Sequence, residues 1–287
     1  MSSNSVSTDT TGTDRNRPGA TVIGVLGLGE AGGEIARNLL DAGAVVRGYD
    51  PKVEAPPGAV ACSDEADAAS GADVVLNVNS SHEAEVALAH ALPGLRPGMV
   101  WAELNTSSAK AKQHLASLVA DAFPGDDTVL FADVAIMSTV PGTGIRTPML
   151  AAGPGAKAFV DLIGPAGGRI EVLDEPVGAA ATKKLLRSVF FKGMSMAVVE
   201  ALVAARAAGL EDWLYDHIRE QLVEFDDRAI ERIVDGSYRH ARRRADEMQA
   251  ASDLLTDLGV PALMAGASQQ SLAAIAAKGT AAVTPPG

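Results

Sequence analysis

The chain has 287 residues, 47% of them hydrophobic, and carries 24 Lys plus Arg against 36 Asp plus Glu for a net charge of −12. That length suits one large or two ordinary domains with ample core, and the acidic balance argues against a nucleic-acid partner, which needs a basic footprint. The one cysteine, Cys62, cannot form an internal disulfide; it reads as an incidental thiol and fits a reducing cytoplasm.

Residues 1–20 are rich in Ser, Thr, Asp and Asn and lack the charged start and apolar centre of a signal peptide, so they read as a disordered lead-in. Val22–Leu26 then reads as a buried strand, followed by Gly-x-Gly-x-x-Gly at Gly27, Gly29 and Gly32 and a helix with Ile35, Leu39 and Leu40 on one face. In a dinucleotide fold the first glycine allows the tight turn. The second admits backbone close to a pyrophosphate, and the third lets helix and strand pack. The helix start then offers free amides and a positive dipole end to phosphates. Gly27, Leu28, Gly29, Glu30 and Ala31 are the expected cofactor contacts. A second apolar run ends at Tyr49-Asp50, where a carboxylate accepts hydrogen bonds from the adenosine ribose. Asp50 favours NAD, since it repels a 2′-phosphate, while nearby Arg47 and Lys52 leave NADP open.

From residue 21 to about 173 apolar runs alternate with amphipathic ones. Strands are expected at 21–26, 44–49, 59–62, 73–78, 99–103, 128–134, 148–152 and 169–173, with helices at 30–42, 64–70, 82–91, 108–123 and 155–163. Such alternation predicts an α/β Rossmann-type domain with a mostly parallel sheet covered on both faces. Ligands of such sheets lie beyond the carboxyl ends of the strands. Polar residues expected there are Asn79, Asn105, and Asp133 with Ser138 and Thr139. Asn79 and Asn105 are expected to contact cofactor or substrate; Ser81 and Ser108 read as helix caps.

After about residue 178 the strand patterns stop. Helices are expected at 178–208, 211–219, 221–233, 237–258 and 261–277, which makes an all-α C-terminal domain. The division is thus 1–20 lead-in, 21–175 dinucleotide domain and 176–287 helical domain. The sequence is read as holding no run of about 18 apolar residues, so nothing is expected to span a membrane and no membrane partner is expected. On the first long helix Lys184, Ser188 and Lys192 follow at i, i+4 and i+8 and share one face. Leu185, Leu186, Val189 and Phe190 are expected to bury that face. A desolvated lysine beside another cation trades protons near neutral pH and can serve as general acid/base. The same spacing also fits a solvated charge stripe.

Together these motifs resemble the β-hydroxyacid dehydrogenase family, which includes 3-hydroxyisobutyrate and 6-phosphogluconate dehydrogenases. Val25–Gly32 is similar to its opening signature, and Gly178, Ala180 and Lys184 fit its Gly-x-(Gly/Ala)-x-x-x-Lys pattern. The resemblance covers about residues 21–277. It implies Lys184 as the catalytic acid/base on a long helix joining the two domains, and a homodimer with interlocking helical domains. Three departures matter. Ser188 stands where the family has asparagine. Asp133–Thr139 replaces the loop Asp-x-Pro-Val-Ser-Gly-Gly, which puts Met137, Ser138 and Thr139 at the substrate. Arg242–Arg244 stand where relatives place a lysine near the substrate carboxylate. Residues 137–148, with Lys192-Gly193, look like a less characterised branch.

The expected function is reversible interconversion of a hydroxy acid (or related alcohol) and its carbonyl form by NAD(P)-dependent hydride transfer, with Lys184 as general acid/base and Ser188 and Lys192 orienting the oxygen. Short-chain dehydrogenases fit worse, because Tyr49, Tyr215 and Tyr238 are followed four residues on by Val53, Arg219 and Arg242 rather than lysine. One Cys and five scattered His supply no evident zinc site. The alternatives are an imine reductase on the same fold and a non-catalytic dinucleotide-binding sensor or scaffold.

Overall fold

A computed structural model describes residues 19–126 and 128–278, so most of the expected lead-in and the end of the tail lie outside the described residues. Eight strands form one sheet: β1 (Val22–Leu26), β2 (Val45–Tyr49), β3 (Val60–Ala61), β4 (Val74–Asn77), β5 (Val100–Glu103), β6 (Leu130–Ile136), β7 (Met149–Ala152) and β8 (Ile170–Val172). Their order is β3-β2-β1-β4-β5-β6-β7-β8. Every neighbouring pair is parallel except β6 with β7. The order turns at β1 and β4, whose carboxyl ends therefore open a crevice.

Each strand of the centre alternates its side chains between two cores. Ile23, Val25, Val74, Leu76, Val100 and Ala102 face one, beneath α1 (Glu30–Asp41) and α5 (Ala156–Ile163). Leu26, Val75 and Trp101 face the other, beneath α2 (Glu65–Ala69), α3 (Ala84–Ala91) and α4 (Ala109–Ala122). Burial on both faces explains why these strands read as continuous apolar runs. Ser108 caps α4 as expected, its Oγ accepting from Ala111 N–H at 3.2 Å. Ser81 does not cap α3: that helix starts later, with Glu83 at its cap position and no side-chain cap bond.

Five helices follow: α6 (Ala179–Ala207), α7 (Glu211–Val223), α8 (Ala229–Arg239), α9 (Ala241–Asp257) and α10 (Leu263–Lys278). The expected helix at 221–233 is displaced. Its first residues extend α7, and an acidic turn interrupts, with Asp226 Oδ1 accepting from Arg228 N–H at 3.0 Å and Arg232 Nη1 at 2.8 Å. The compact units divide at Arg187 and Ser188, inside α6, rather than in the coil at 174–178. The first turns of α6 bury Ala180 and Ala181 in the α/β unit, which draws that unit past the coil.

Helix α6 corrects two expectations. It is long and apolar enough to cross a membrane by length and composition, with mean hydropathy 1.5 over an 18-residue window. It escapes a search for unbroken apolar runs because Lys192 and Glu200 interrupt its Ala, Val, Met and Phe residues. Its apolar residues are also exposed: Leu186 by 66%, Val189 by 75% and Phe190 by 54%. Among the described residues, none covers Leu186, Val189 and Phe190 beside Ser188.

In the helical unit Glu200 ties α6 to α10: its carboxylate accepts from Met264 N–H at 2.7 Å and Ala265 N–H at 2.8 Å. These are donors that a helix start otherwise leaves unpaired. Glu200→Ala is expected to lower stability by about 1–2 kcal/mol, as loss of an N-terminal cap does, read as a lower thermal midpoint.

Candidate functional site

Close backbone approach builds the turn after β1. Gly27 has φ +90°, and a Cβ there would lie 2.7 Å from Asn79 Cα; a Cβ on Gly32 would lie 1.9 Å from Gly27 O. Gly29 differs, since a Cβ on it meets nothing within 4 Å. It is also the cap position of α1 and makes no side-chain cap bond. Two glycines are thus required by packing, and the third borders open space at a helix start, as a pyrophosphate needs. A cavity of about 410 Å³ opens beside them, lined by Gly27, Gly29, Asp50, Lys52, Asn79 and Ser80 among others.

Asp50 sits on this cavity with its carboxylate already oriented. Oδ2 accepts from Leu28 N–H at 2.8 Å, and Oδ1 accepts from Lys52 N–H at 2.8 Å and Val53 N–H at 3.1 Å. The amide of Leu28, expected at the cofactor, is therefore spent on Asp50, and its side chain is buried. Glu30 is exposed in the first turn of α1, and Ala31 is half-buried. Arg47 is withdrawn from the question of a 2′-phosphate: its guanidinium binds Asp67, at 2.6 Å to Oδ1 and 2.7 Å to the carbonyl. Lys52 alone of the two cations lines the cavity, where Glu65 and Glu83 join Asp50. The residues present fit a dinucleotide.

Along the same strand edge the structure joins residues that spacing could not. Asn105 Nδ2 donates to Asn79 Oδ1 at 2.7 Å, and Asn105 N–H donates to Glu103 Oε1 at 3.2 Å. Asn77 Nδ2 donates to the second Glu103 oxygen at 2.6 Å. Glu103 is buried, and so is Lys112 of α4, whose Nζ donates to the Glu103 carbonyl. Burial pushes the Glu103 carboxyl above its ordinary range and the Lys112 ammonium below its own, while each charge opposes the other's shift. The sequence offers one signal for a buried Lys112. It falls on the buried stripe of α4 with Leu115 and Val119, at i, i+3 and i+7.

Asp133 is corrected likewise. It is buried within β6, 3.4 Å from Lys112 Nζ, and its Oδ2 accepts from the backbone N–H groups of Gly178 and Ala181. Met137, Ser138 and Thr139 follow β6 at the edge where β4 and β5 end; Met137 is half-buried and the other two are exposed. The loop beyond folds back on α1, with Ile145 N–H donating to Asn38 Oδ1 at 3.0 Å. On α6, Lys184 and Ser188 are half-buried and Lys192 is exposed. Arg243 pairs with Glu247, and Arg244 Nη1 lies 3.1 Å from Ser237 Oγ.

Comparison with known proteins follows this division. Residues 22–123 match the NAD binding domain of 6-phosphogluconate dehydrogenase, and residues 205–275 match a domain of unknown function, DUF1932. An uncharacterized 28.5 kDa protein of Methanothermus fervidus is 26% identical over 79% of this chain and 87% of its own length. A solved protein of unknown function, described as structurally similar to 3-hydroxyacid dehydrogenases, is 27% identical; 88% of this chain covers 96% of it with a TM-score of 0.55. An imine reductase from Myxococcus stipitatus in complex with NADP+ shares the fold at 16% identity and a TM-score of 0.75, over 90% of this chain and 95% of its own. The resemblance to β-hydroxyacid dehydrogenases and the Rossmann-type fold are borne out.

Gly32→Ala forces apart the Gly27 carbonyl and the start of α1. It is expected to cost about 1–3 kcal/mol of stability, as overpacking does, and to weaken NADH binding measured by calorimetry.

Proposed function

We propose that this chain, whose residues 22–123 match the NAD binding domain of 6-phosphogluconate dehydrogenase, interconverts a hydroxy acid or related alcohol and its carbonyl form. The observation that carries the reading is a complete dinucleotide cradle, Gly27 to Gly32 with Asp50 on its cavity, in a chain that also has a lysine at the position the family uses for acid/base work. A bound nicotinamide supplies the hydride acceptor in oxidation and the donor in reduction. Neutral Lys184 takes the substrate hydroxyl proton in oxidation; protonated Lys184 returns it to the forming alkoxide in reduction. Ser188, in place of the family asparagine, and Lys192, one and two turns along the helix, orient the oxygen. Met137, Ser138 and Thr139 contact substrate, and Asn79 and Asn105 the cofactor.

NAD is the cofactor favoured over NADP. Asp50, Glu65 and Glu83 set three carboxylates around the cavity against Lys52 alone, and a 2′-phosphate there meets net repulsion. Imine reduction is the second reading, supported by the fold likeness to an imine reductase of known cofactor. A sensor or scaffold would keep the cradle and not need Lys184. The lone Cys62 suits a cytoplasmic setting.

A panel of hydroxy acids, carbonyl acids and cyclic imines, each with NAD(H) and NADP(H), separates these readings through absorbance of the reduced nicotinamide. Turnover of a hydroxy acid supports the proposal; turnover of imines alone replaces it with the second reading. Lys184→Ala is expected to lower turnover by about 10²-fold or more, as loss of a general acid/base does, with NADH affinity nearly unchanged. Full activity in that variant sinks the role of Lys184.

The oligomer proposed is a homodimer. Exposed Leu186, Val189, Phe190 and Met196 form an apolar helix surface that water disfavours. A second copy covers it better than lipid does, because Lys192 inside a bilayer costs about 2.5–3.5 kcal/mol. Light scattering is expected to give twice the 29.3 kDa chain mass without detergent; a monomer would contradict this.

A further inference from the structure

The first turn of α6 is held from outside the helix. Asp133, buried in β6, accepts at Oδ2 from Gly178 N–H at 2.9 Å and from Ala181 N–H at 3.2 Å. These are donors that a helix start leaves without intrahelical partners. Caps normally come from a Ser, Thr, Asp or Asn next in sequence; here a strand carboxylate 45 residues away does the work. The other oxygen, Oδ1, makes no hydrogen bond but lies 3.4 Å from Lys112 Nζ. Lys112 is buried as well, and it donates to the carbonyls of Glu103 and, at 3.4 Å, Val134.

Two further contacts close the grip. Gln113 Nε2, next along α4, donates to the Val177 carbonyl at 3.0 Å. Gly178 has φ +103°, and a Cβ on it would lie 2.9 Å from the Ala109 Cβ. The start of α6 thus has one seating on β6 and α4. Lys184 follows Ala181 by three residues, on the same helix face, and helical side chains lean back toward the N-terminus.

A buried ion pair is a poor means to stability, since apolar replacements of similar volume are often neutral or better. It does impose one geometry. We propose that Asp133, held by Lys112, is a positioning residue for Lys184: it fixes the turn from which that lysine projects. The catalytic meaning of this placement rests on the hydride-transfer reading, but the placement can be measured without turnover.

The test is competitive acetylation of the full-length protein with trace acetic anhydride at neutral pH, each lysine's labelling read by mass spectrometry. Lys110 and Lys157, exposed on α4 and α5, serve as references. Asp133→Asn is expected to raise Lys184 labelling by about threefold or more, as the first turn of α6 loses its hold and the half-buried amine opens more often to solvent, with the references unchanged. The double variant Asp133→Asn with Lys112→Met removes both buried charges together. It keeps the measurement possible where the single variant leaves Lys112 uncompensated and fails to fold, and the same rise is expected. A smaller change at Lys184 in a folded variant, or an equal rise at Lys110 and Lys157, overturns the proposal. Turnover of Lys184→Ala is read separately, so a failure of the catalytic reading and a failure of this one are told apart.

Discussion

One buried ammonium joins the parts of this α/β unit that chemistry would use. Lys112 meets the end of β5 through the Glu103 carbonyl and the body of β6 through Asp133 and Val134. Its two carboxylate neighbours lead in different directions. Glu103 holds Asn77 and Asn105, and through Asn105 it reaches Asn79 on the cavity. Asp133 holds the first turn of α6. A charge with no access to water stands there only because carboxylates and carbonyls replace its hydration. The positive end of α6 in turn meets the Asp133 carboxylate.

The glycine loop shows how a site is divided between packing and binding. Gly27 and Gly32 are compelled by backbone contacts that no Cβ survives, and they would be compelled with no ligand in view. Gly29 touches nothing, so its lack of a side chain has meaning only for something that approaches from outside. Asp50 is prepared in a similar way. Three amides fix its carboxylate at the end of β2, so little side-chain entropy remains to be lost when a ribose binds.

The helical unit presents the opposite economy. Glu200 and small contacts among Ala204, Leu255 and Ala265 hold α6 to its neighbours, while large apolar residues on α6, α7 and α8 stay in water. The proposed homodimer would cover that surface, and with it the surroundings of Ser188 and Lys192 beside Val189 and Phe190.

The sequence by itself determined the eight strands, the glycine turn, Asp50 as the acid at the end of β2, and α6 with a lysine at its motif position. All of these are local: periodicity, glycine spacing and strand ends are set by residues within a few turns of one another. Tertiary structure alone decided which charges meet. Asp133 lies on a different strand from Glu103 and well beyond Lys112 in the chain, and the three become neighbours because β5 and β6 are adjacent beneath α4. It also decided that Arg47 serves Asp67, that Ser81 caps nothing, and that α7 runs on to Val223. The apolar residues beside Lys184 and Ser188 were legible as apolar but not as exposed. Hydrophobicity is a property of the residue, and burial is a property of what the rest of the structure brings to it.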